Sequence, residues 1–304
     1  MYDVAVIGGG PCGLTAGIYA SRSGLNTVIL ERTAPGGQAA TTLAIDNYPG
    51  FPDGVDGPGL MTAMEEQAKR FGAGITLAEA TSIETGPGEF AVHTTDERLV
   101  SKTVIIATGT REKPLGVPGE RELRGRGVSY CAVCDGAFFR GKRVVVVGGG
   151  DSAITEAIFL ARIASRVTVV HRRDALRANK YLQDQAMSND KIAFAWNSVV
   201  TAIEGSDRVE GIVLRDTVTG EKTPVEADGV FIYVGFSPNT EFLRGVVELD
   251  AAGYAITDNT LRTSVPGIFA AGDVRVKVLR QIVTAAADGA VAAVSAERYL
   301  MGVS

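Results

Sequence analysis

The sequence of 304 residues is poor in cysteine. Only Cys12, Cys131 and Cys134 occur, which excludes a scaffold stabilised by several disulfides. No apolar run approaches the ~18 residues that a membrane-spanning helix needs. The first three residues lead directly into an apolar segment, which leaves no room for the charged and apolar regions of a signal peptide. We therefore expect a cytoplasmic protein that does not interact with membranes.

Positive charge is also scarce. The 30 Lys and Arg residues are outnumbered by 35 Asp and Glu residues, which gives a formal net charge of −5. No basic block and no stripe of alternating basic and aromatic residues occurs along the chain. Proteins that bind nucleic acid normally carry such a basic surface. We therefore expect no nucleic-acid partner.

Glycine, by contrast, is abundant: its 37 residues bunch into clusters of the kind found at tight turns and close ligand contacts. Two of these clusters belong to an internal repeat. The segment VAVIGGG at 4–10 reappears as VVVVGGG at 144–150, a separation of 140 residues (144 − 4). In both copies a helix-forming stretch and a second apolar strand follow the glycines. The chain therefore contains two βαβ units.

Each repeat carries a glycine motif between its first strand and its helix. The motif residues are Gly8, Gly10 and Gly13 in the first copy, and Gly148, Gly150 and Ala153 in the second. A single motif of this kind could be a plain glycine turn. In a βαβ unit, however, the glycines let the backbone approach a pyrophosphate, whose charge is favoured at the N-terminus of the following helix. We predict two dinucleotide sites.

The residues after the second strand of each repeat differ in charge. Glu31 lies 23 residues after Gly8 (31 − 8), where an acid binds the hydroxyls of an adenosine ribose. The same count from Gly148 reaches His171, which is followed by Arg172, Arg173 and, one helical turn later, Arg177. Arginines suit a ribose 2′-phosphate, although a solvated basic patch is the alternative. We predict FAD in the first site and NADPH in the second.

The end of the chain predicts how the two domains are connected. Residues after about 245 contain a further strand and a helix of small residues, but they are too few to form a domain alone. We therefore predict an α/β fold with two doubly wound, Rossmann-like dinucleotide-binding domains. The FAD-binding domain comprises 1–113 and 245–304, and the NADPH-binding domain is inserted at 114–244. The chain passes between the two domains at 113/114 and at 244/245, and these two adjacent crossings form a natural hinge.

The spacing Cys131-x-x-Cys134 indicates redox or metal chemistry in a cytoplasmic chain. Tetrahedral zinc needs about four Cys or His ligands. The remaining candidates are poorly placed: Cys12 lies in the first glycine turn, His171 lies at the end of a nucleotide-site strand, and His93 lies in an alternating strand. We expect no metal and a dithiol that forms a disulfide, with the pKa of one thiol lowered at a helix start.

Taken together, these motifs resemble those of the low-molecular-weight thioredoxin reductases, and the resemblance covers nearly the whole chain. The matching segments are Gly8–Gly13, Gly36-Gly37-Gln38, Asn47-Tyr48-Pro49-Gly50, Ala107-Thr108-Gly109, Cys131-Ala132-Val133-Cys134-Asp135-Gly136, Gly148–Ala153, His171-Arg172-Arg173, Gly272-Asp273 and Arg280-Gln281. The resemblance implies a homodimeric flavoprotein whose domains rotate to present nicotinamide and dithiol to the flavin in turn.

The resemblance also assigns the remaining site residues. The FAD site would comprise Gly8, Gly10, Gly13, Glu31, Gln38, Asn47, Thr108, Gly109, Asp273, Arg280 and Gln281. The NADPH site would comprise Gly148, Gly150, Asp151, Ser152, Ala153, His171, Arg172, Arg173 and Arg177. Arg126 matches a family position that contacts thioredoxin, with an exposed, solvated arginine as the alternative.

The implied activity is reduction of a thioredoxin disulfide by NADPH. By resemblance, Cys134 is the thiol next to the flavin and Cys131 attacks the protein substrate through a mixed disulfide. Asp135 would donate or accept the proton of the departing thiolate, and a helix N-cap is its alternative role. Rival functions are reduction of another dithiol protein, electron transfer from a flavoprotein to ferredoxin or a quinone, and nucleotide sensing without catalysis.

Overall fold

The apolar runs of the sequence form the strands of two separate sheet systems. The structure is a computed structural model that describes residues 1–42 and 45–303. The chain divides into two compact units, Met1–Arg111 with Ser237–Ser304, and Glu112–Phe236. The second unit is thus an insertion into the first, and each unit is described below by itself.

Within the described residues the chain forms 17 strands. They are β1 (Tyr2–Ile7), β2 (Thr27–Glu31), β3 (Gly74–Leu77), β4 (Ala80–Gly86), β5 (Glu89–Thr94), β6 (Arg98–Ile106), β7 (Thr110–Glu112), β8 (Val128–Ser129), β9 (Arg143–Val147), β10 (Arg166–Val170), β11 (Ile192–Ala195), β12 (Ser198–Glu204), β13 (Gly211–Asp216), β14 (Lys222–Glu226), β15 (Gly229–Ile232), β16 (Phe236–Pro238) and β17 (Ile268–Ala270).

The same residues form six α-helices. They are α1 (Pro11–Arg22), α2 (Gly57–Arg70), α3 (Ala132–Asp135), α4 (Asp151–Ala161), α5 (Lys180–Met187) and α6 (Ile282–Leu300). None of them combines the length and the apolar character required to cross a membrane.

The sheet of the first unit is parallel at its centre, in the order β3-β2-β1-β6, with β17 also parallel to β6. Strand β5 pairs antiparallel with the first half of β6, and β4 pairs antiparallel with β5. Successive side chains of a strand point to opposite faces. Val4 and Val6 accordingly pack with α1, α2 and α6, whereas Ala5 and Ile7 pack on the other face with residues such as Leu243.

The second unit repeats this arrangement on a smaller scale. Its parallel sheet has the order β11-β10-β9-β15-β8. Val144 and Val146 of β9 face α4, and Val145 and Val147 face the antiparallel sheet β12-β13-β14. Each unit is therefore a sheet covered on both faces, which confirms the predicted α/β fold class with two doubly wound domains.

The chain passes between the units at 111/112 and 236/237, whereas the sequence placed these crossings at 113/114 and 244/245. Residues 237–244 remain with the first unit because they bond to it. Asn239 Nδ2 donates to the carbonyl of Thr108 at 2.9 Å, and Arg111 forms an ion pair with Glu241. Leu243 is fully buried in the core of this unit.

A buried ionic cluster lies at the middle of α6 in the first unit. The carboxylate of Asp288 accepts hydrogen bonds from Arg275 at 2.8 and 3.0 Å, from Lys277 at 2.9 Å and from the backbone N–H of Gly272 at 3.0 Å. Burial alone would raise the pKa of Asp288, but the hydrogen bonds from Arg275 and Lys277 outweigh burial and lower it. The carboxylate is thus charged in the folded protein at neutral pH.

Replacement of Asp288 by Asn should destabilise the protein strongly at neutral pH. Breaking a buried ion pair by removing one partner costs about 3 kcal/mol, because the other charges stay buried without compensation. A carboxylate whose pKa is lowered on folding stabilises the protein above its unfolded pKa of about 4 and loses this contribution as the pH falls. In urea unfolding, the free energy of unfolding of the variant should lie well below that of the natural protein at pH 7. The gap between the two should be smaller at about pH 3. Equal destabilisation by Glu66→Gln, an exposed control on α2, would contradict this role.

Candidate active site and nucleotide-binding sites

The first glycine turn joins β1 to α1 by a close approach of backbone to backbone. A Cβ atom on Gly13 would lie 1.7 Å from the carbonyl oxygen of Gly8, so no other residue fits there. The N-cap of α1 is Gly10, which has no side chain to bond to the first turn of the helix. The N–H groups of this turn are therefore available for an anion such as a pyrophosphate.

Glu31 lies at the end of β2 and faces this turn. Its Oε2 accepts a hydrogen bond from the backbone N–H of Gly9 at 2.8 Å, and its Oε1 accepts one from Thr33 at 3.2 Å. Each oxygen of a carboxylate has further acceptor capacity. The side chain is thus fixed beside the glycine turn, where a ribose with free hydroxyls would fit.

Several further FAD-site residues predicted from the resemblance are brought together in the first unit. Gln38 Nε2 donates to the backbone carbonyl and, at 3.1 Å, to the hydroxyl of Thr110. Asn47 Nδ2 donates to Gln281 Oε1 at 3.0 Å, although the two residues are 234 positions apart in the sequence. The hydroxyl of Thr108 is engaged elsewhere, since it donates to the carbonyl of Asn239 at 2.8 Å.

The carboxylate of Asp273 indicates whether a polar ligand fits this site. Its Oδ1 atom is buried and has no hydrogen-bond partner among the described residues. Burial raises the pKa of Asp273, and the nearby Lys277 and Arg280 only partly offset this effect. Arg280 donates to the carbonyl of Asp273 at 3.4 Å and lies 4.2 Å from the ring centroid of Tyr254. A buried acceptor without a partner suits a hydroxyl-rich ligand such as FAD.

The second glycine turn joins β9 to α4 in the same way. A Cβ atom on Gly148 would lie 2.4 Å from the carbonyl oxygen of Tyr233. The N-cap of α4 is Gly150, again without a side-chain cap. Asp151 is held by Asn179, whose backbone N–H and side-chain amide both donate to its Oδ1 at 2.7 and 3.2 Å. The N–H groups at the start of α4 are therefore without a side-chain cap and available to an anion, as at the first turn.

The basic residues after β10 are exposed around this second turn. Arg172, Arg173 and Arg177 all lie at the surface, and none forms an ion pair within 4.0 Å with a described residue. His171 is buried, and burial followed by the three arginines lowers its pKa. The imidazole is therefore neutral at pH 7, and the positive charge of this segment belongs to the three guanidinium groups.

The two cysteines of the Cys-x-x-Cys motif form a disulfide in the second unit, with their Cα atoms 5.4 Å apart. Cys131 is the N-cap of α3, and its Sγ accepts a hydrogen bond from the backbone N–H of Cys134 at 3.2 Å. The pair thus lies at a helix start, as predicted. In the part of the chain that the structure describes, no three His, Cys, Asp or Glu side chains are grouped so as to hold a metal ion.

Asp135 follows the disulfide at the end of α3. Its Oδ2 accepts a hydrogen bond from the hydroxyl of Ser129 at 2.7 Å, and Ser129 Oγ also accepts one from the backbone N–H of Cys131 at 3.0 Å. Asp135 precedes the short 3-10 helix at 136–139 but makes no side-chain capping bond to it. The carboxylate is therefore tied to the cysteine segment through Ser129, which the sequence motifs did not indicate.

The third cysteine has a different environment. Cys12 is buried in the core of the first unit, and burial followed by the charge of Asp288 raises the pKa of its thiol. Cys12 is therefore a small packed residue, since a buried thiol of this kind stays protonated and unreactive at neutral pH.

Comparisons with known proteins agree with this geometry. The sequence profile of the pyridine nucleotide-disulphide oxidoreductases matches residues 2–289. A thioredoxin reductase from Bacillus subtilis is 49% identical over 301 residues, which cover 99% of this chain and 95% of that protein. A thioredoxin reductase from Listeria monocytogenes is 48% identical over 301 residues, with coverages of 99% and 94%. The crystal structure of Lactococcus lactis thioredoxin reductase has a TM-score of 0.97 at 45% identity and covers all of both chains.

The matched residues include both glycine turns and the Cys131–Cys134 pair. It confirms the prediction that the chain is an oxidoreductase whose cofactors are FAD and NADPH. The chain therefore belongs to the pyridine nucleotide-disulphide oxidoreductase family, and within it to the low-molecular-weight thioredoxin reductases.

Proposed function

We propose that this protein reduces the disulfide of a thioredoxin-like protein with NADPH, by way of FAD and the Cys131–Cys134 pair. The observation that carries the proposal is the disulfide at the start of α3. It lies in the same unit as the uncapped turn between β9 and α4 and the exposed arginines after β10. The full-length relatives named thioredoxin reductase support the choice of substrate.

In this proposal the first unit holds FAD. The residues that would contact it are Gly8, Gly10, Gly13, Glu31, Gln38, Asn47, Thr108, Gly109, Asp273, Arg280 and Gln281. The N-terminus of α1 would bind the pyrophosphate, Glu31 the ribose and the buried oxygen of Asp273 a ligand hydroxyl. When bound, FAD supplies a centre that accepts a hydride and passes on an electron pair.

The second unit would hold NADPH at the turn between β9 and α4. The residues concerned are Gly148, Gly150, Asp151, Ser152, Ala153, His171, Arg172, Arg173 and Arg177. The N-terminus of α4 would bind the pyrophosphate, and the arginines the 2′-phosphate. Neutral His171 packs beside Gly149 and would keep this place when the nucleotide binds.

The dithiol would act by exchange. The Cys131 thiolate attacks one sulfur of the substrate disulfide, which forms a mixed disulfide and releases the other substrate sulfur as a thiolate. The Cys134 thiolate then attacks the Cys131 sulfur, which releases the second substrate thiolate and restores the Cys131–Cys134 disulfide. Asp135, held by Ser129, would donate or accept the proton at the sulfur of Cys134.

A surface beside Asp135 would receive the protein substrate. A cavity of about 220 Å³ lies there, with Arg126, Phe138 and Lys142 in its lining. Phe138 is 73% exposed, so its ring is free to contact a partner protein. An exposed aromatic residue next to basic groups is typical of an interface with another protein.

Two further proposals concern the assembly of the protein and its location. We propose a homodimer, supported by the exposed apolar side chains Val276, Val278, Leu279 and Val283 of the first unit. A sedimentation mass equal to one chain would contradict it. We also propose a cytoplasmic location, where thioredoxin systems keep thiols reduced.

The proposed function is tested by following the flavin spectrum of the purified protein without oxygen. NADPH should bleach the flavin band, and addition of oxidised thioredoxin should restore it. A ferredoxin or quinone in place of thioredoxin should leave the band bleached. Bleaching by NADPH without any reoxidation by a protein disulfide would overturn the choice of substrate.

A further inference from the structure

The arginine loop, which comprises residues 171–179 after β10, returns to the second glycine turn and is bonded to it. The backbone N–H groups of Arg177 and Ala178 both donate to the carbonyl of Gly149, at 2.7 and 3.1 Å. Leu176 and Ala178, on either side of Arg177, are buried in the core of the second unit. The backbone of the loop is therefore fixed against the turn, while the side chain of Arg177 stays exposed.

Asp151, the first residue of α4, holds the end of the same loop. Its Oδ1 accepts hydrogen bonds from the backbone N–H of Asn179 at 2.7 Å and from Asn179 Nδ2 at 3.2 Å. The other side-chain atom of this amide, Asn179 Oδ1, accepts from the backbone N–H of Leu182 at 3.1 Å and caps α5. One carboxylate thus fixes both the end of the arginine loop and the start of α5.

These bonds place Arg177 beside the glycine turn. Its Nη2 atom lies 3.9 Å from the position that a Cβ atom on Gly150 would occupy. Gly149, to which the loop is bonded, matches Gly9 of the first repeat at the separation of 140 residues (149 − 9). Gly9 donates its N–H to Glu31, the predicted ribose ligand. The arginine loop is therefore attached at the part of the turn where the ribose of the second nucleotide would lie.

The charge of Asp151 opposes the binding of a phosphate at this turn. The side chain is exposed and directly follows Gly150, the N-cap of α4. A carboxylate in the first turn stabilises the helix itself, because the N-terminus of a helix carries partial positive charge. It also repels a phosphate group, because like charges repel. Its favourable contribution to a phosphorylated nucleotide must therefore come through its hydrogen bonds to Asn179.

We propose that Asp151 is a positioning residue for NADPH: it attaches the arginine loop to the start of α4 and so holds the guanidinium group of Arg177 at the 2′-phosphate. The inference rests on the proposed function only in that NADPH binds at this turn. One side chain thus has two opposite effects on affinity. Its acceptor oxygen favours the nucleotide through Arg177, and its charge opposes it.

The two effects are separated by two substitutions in the FAD-loaded protein, with the Kd of NADP⁺ measured by titration calorimetry. Asp151→Ala removes both the acceptor and the charge, and we expect the Kd to rise about fivefold. Asp151→Asn keeps an acceptor oxygen for the N–H of Asn179 but removes the charge, so the Kd should fall about twofold. If Asp151 only stabilised α4, or only repelled the phosphate, both variants would change the Kd in the same direction.

The dependence on Arg177 is tested by a double-mutant cycle. Arg177→Ala should raise the Kd of NADP⁺ about tenfold. Addition of Asp151→Ala should raise it no further, because the loop then has no guanidinium group to position at residue 177. NAD⁺ lacks the 2′-phosphate, so Asp151→Ala should change the Kd of NAD⁺ by less than about twofold.

A matched control and a measurement without nucleotide accompany these titrations. Asp174→Ala removes an exposed carboxylate from the arginine loop but leaves the hydrogen bonds of Asp151 in place, so the Kd of NADP⁺ should not rise. The amide exchange of Asn179 should become about fivefold faster in Asp151→Ala and change by less than about twofold in Asp151→Asn.

Three results would overturn the inference. The first is a change of the Kd of NADP⁺ in the same direction in Asp151→Ala and Asp151→Asn. The second is a double variant whose losses multiply to about 50-fold, which would mean that Asp151 and Arg177 act separately. The third is an equal rise in the Kd of NAD⁺. Reduction of thioredoxin is a separate measurement: its failure would remove the proposed substrate, while the NADP⁺ titrations would still decide the role of Asp151.

Discussion

Replacement of Cys134 by Ser should abolish the reduction of thioredoxin while leaving the reduction of the bound flavin by NADPH intact. Serine cannot form the disulfide with Cys131, so no electron pair can be stored in the cysteine pair. It also cannot resolve the mixed disulfide that Cys131 forms with the substrate. We expect turnover with thioredoxin to fall by about 10³-fold or more. Steady-state turnover and stopped-flow flavin absorbance measure the two steps separately.

The same variant should trap its substrate. Cys131 retains a thiol at the start of α3, and without Cys134 the mixed disulfide can be broken only by the released substrate thiolate or by an added reductant, so it should accumulate. Cys12→Ala is the matched control, because it removes the third thiol, which is buried in the core of the first unit. Normal turnover of thioredoxin by the Cys134→Ser protein would refute the assigned path of electrons.

The local features of this fold were predictable from the sequence because they depend on neighbouring residues. A β-branched run, a glycine turn and a helix follow one another within about 20 residues in each βαβ unit, and both copies occur as predicted. The charge difference between Glu31 and Arg172 is likewise a local pattern. Cys131 and Cys134 are three positions apart in the sequence, so their disulfide needs no distant contact.

The contacts that position the chemistry were not predictable in the same way. The Tyr233 hydroxyl accepts a hydrogen bond from the backbone N–H of Ala132 at 2.9 Å, although the two residues lie 101 positions apart. The ion pairs of Asp288 join α6 to Arg275 and Lys277, which lie between two of the motif segments but belong to neither. Ser129 carried a weak signal, since it is a polar residue in the short buried strand before Cys131. Such contacts arise from the packing of whole elements, which periodicity does not encode.

The arginines after β10 provide the second large expected effect, which concerns the choice of nucleotide. Replacement of Arg172 and Arg173 by Ala removes two exposed guanidinium groups that have no ion-pair partner among the described residues. If they bind the 2′-phosphate, the loss of two charge-assisted contacts should raise the KM for NADPH about 100-fold. NADH lacks this phosphate, so its KM should change by less than about threefold.

Arg166→Ala is the matched control, since Arg166 is exposed at the opposite end of the same strand β10. Its loss changes the net charge of the second unit by one without touching the predicted phosphate site, and the preference for NADPH should persist. Added salt should weaken the binding of NADPH more in the natural protein than in the double variant, because exposed charge contacts are screened. An equal rise in KM for NADPH and NADH would show that these arginines stabilise the unit generally and do not bind the 2′-phosphate.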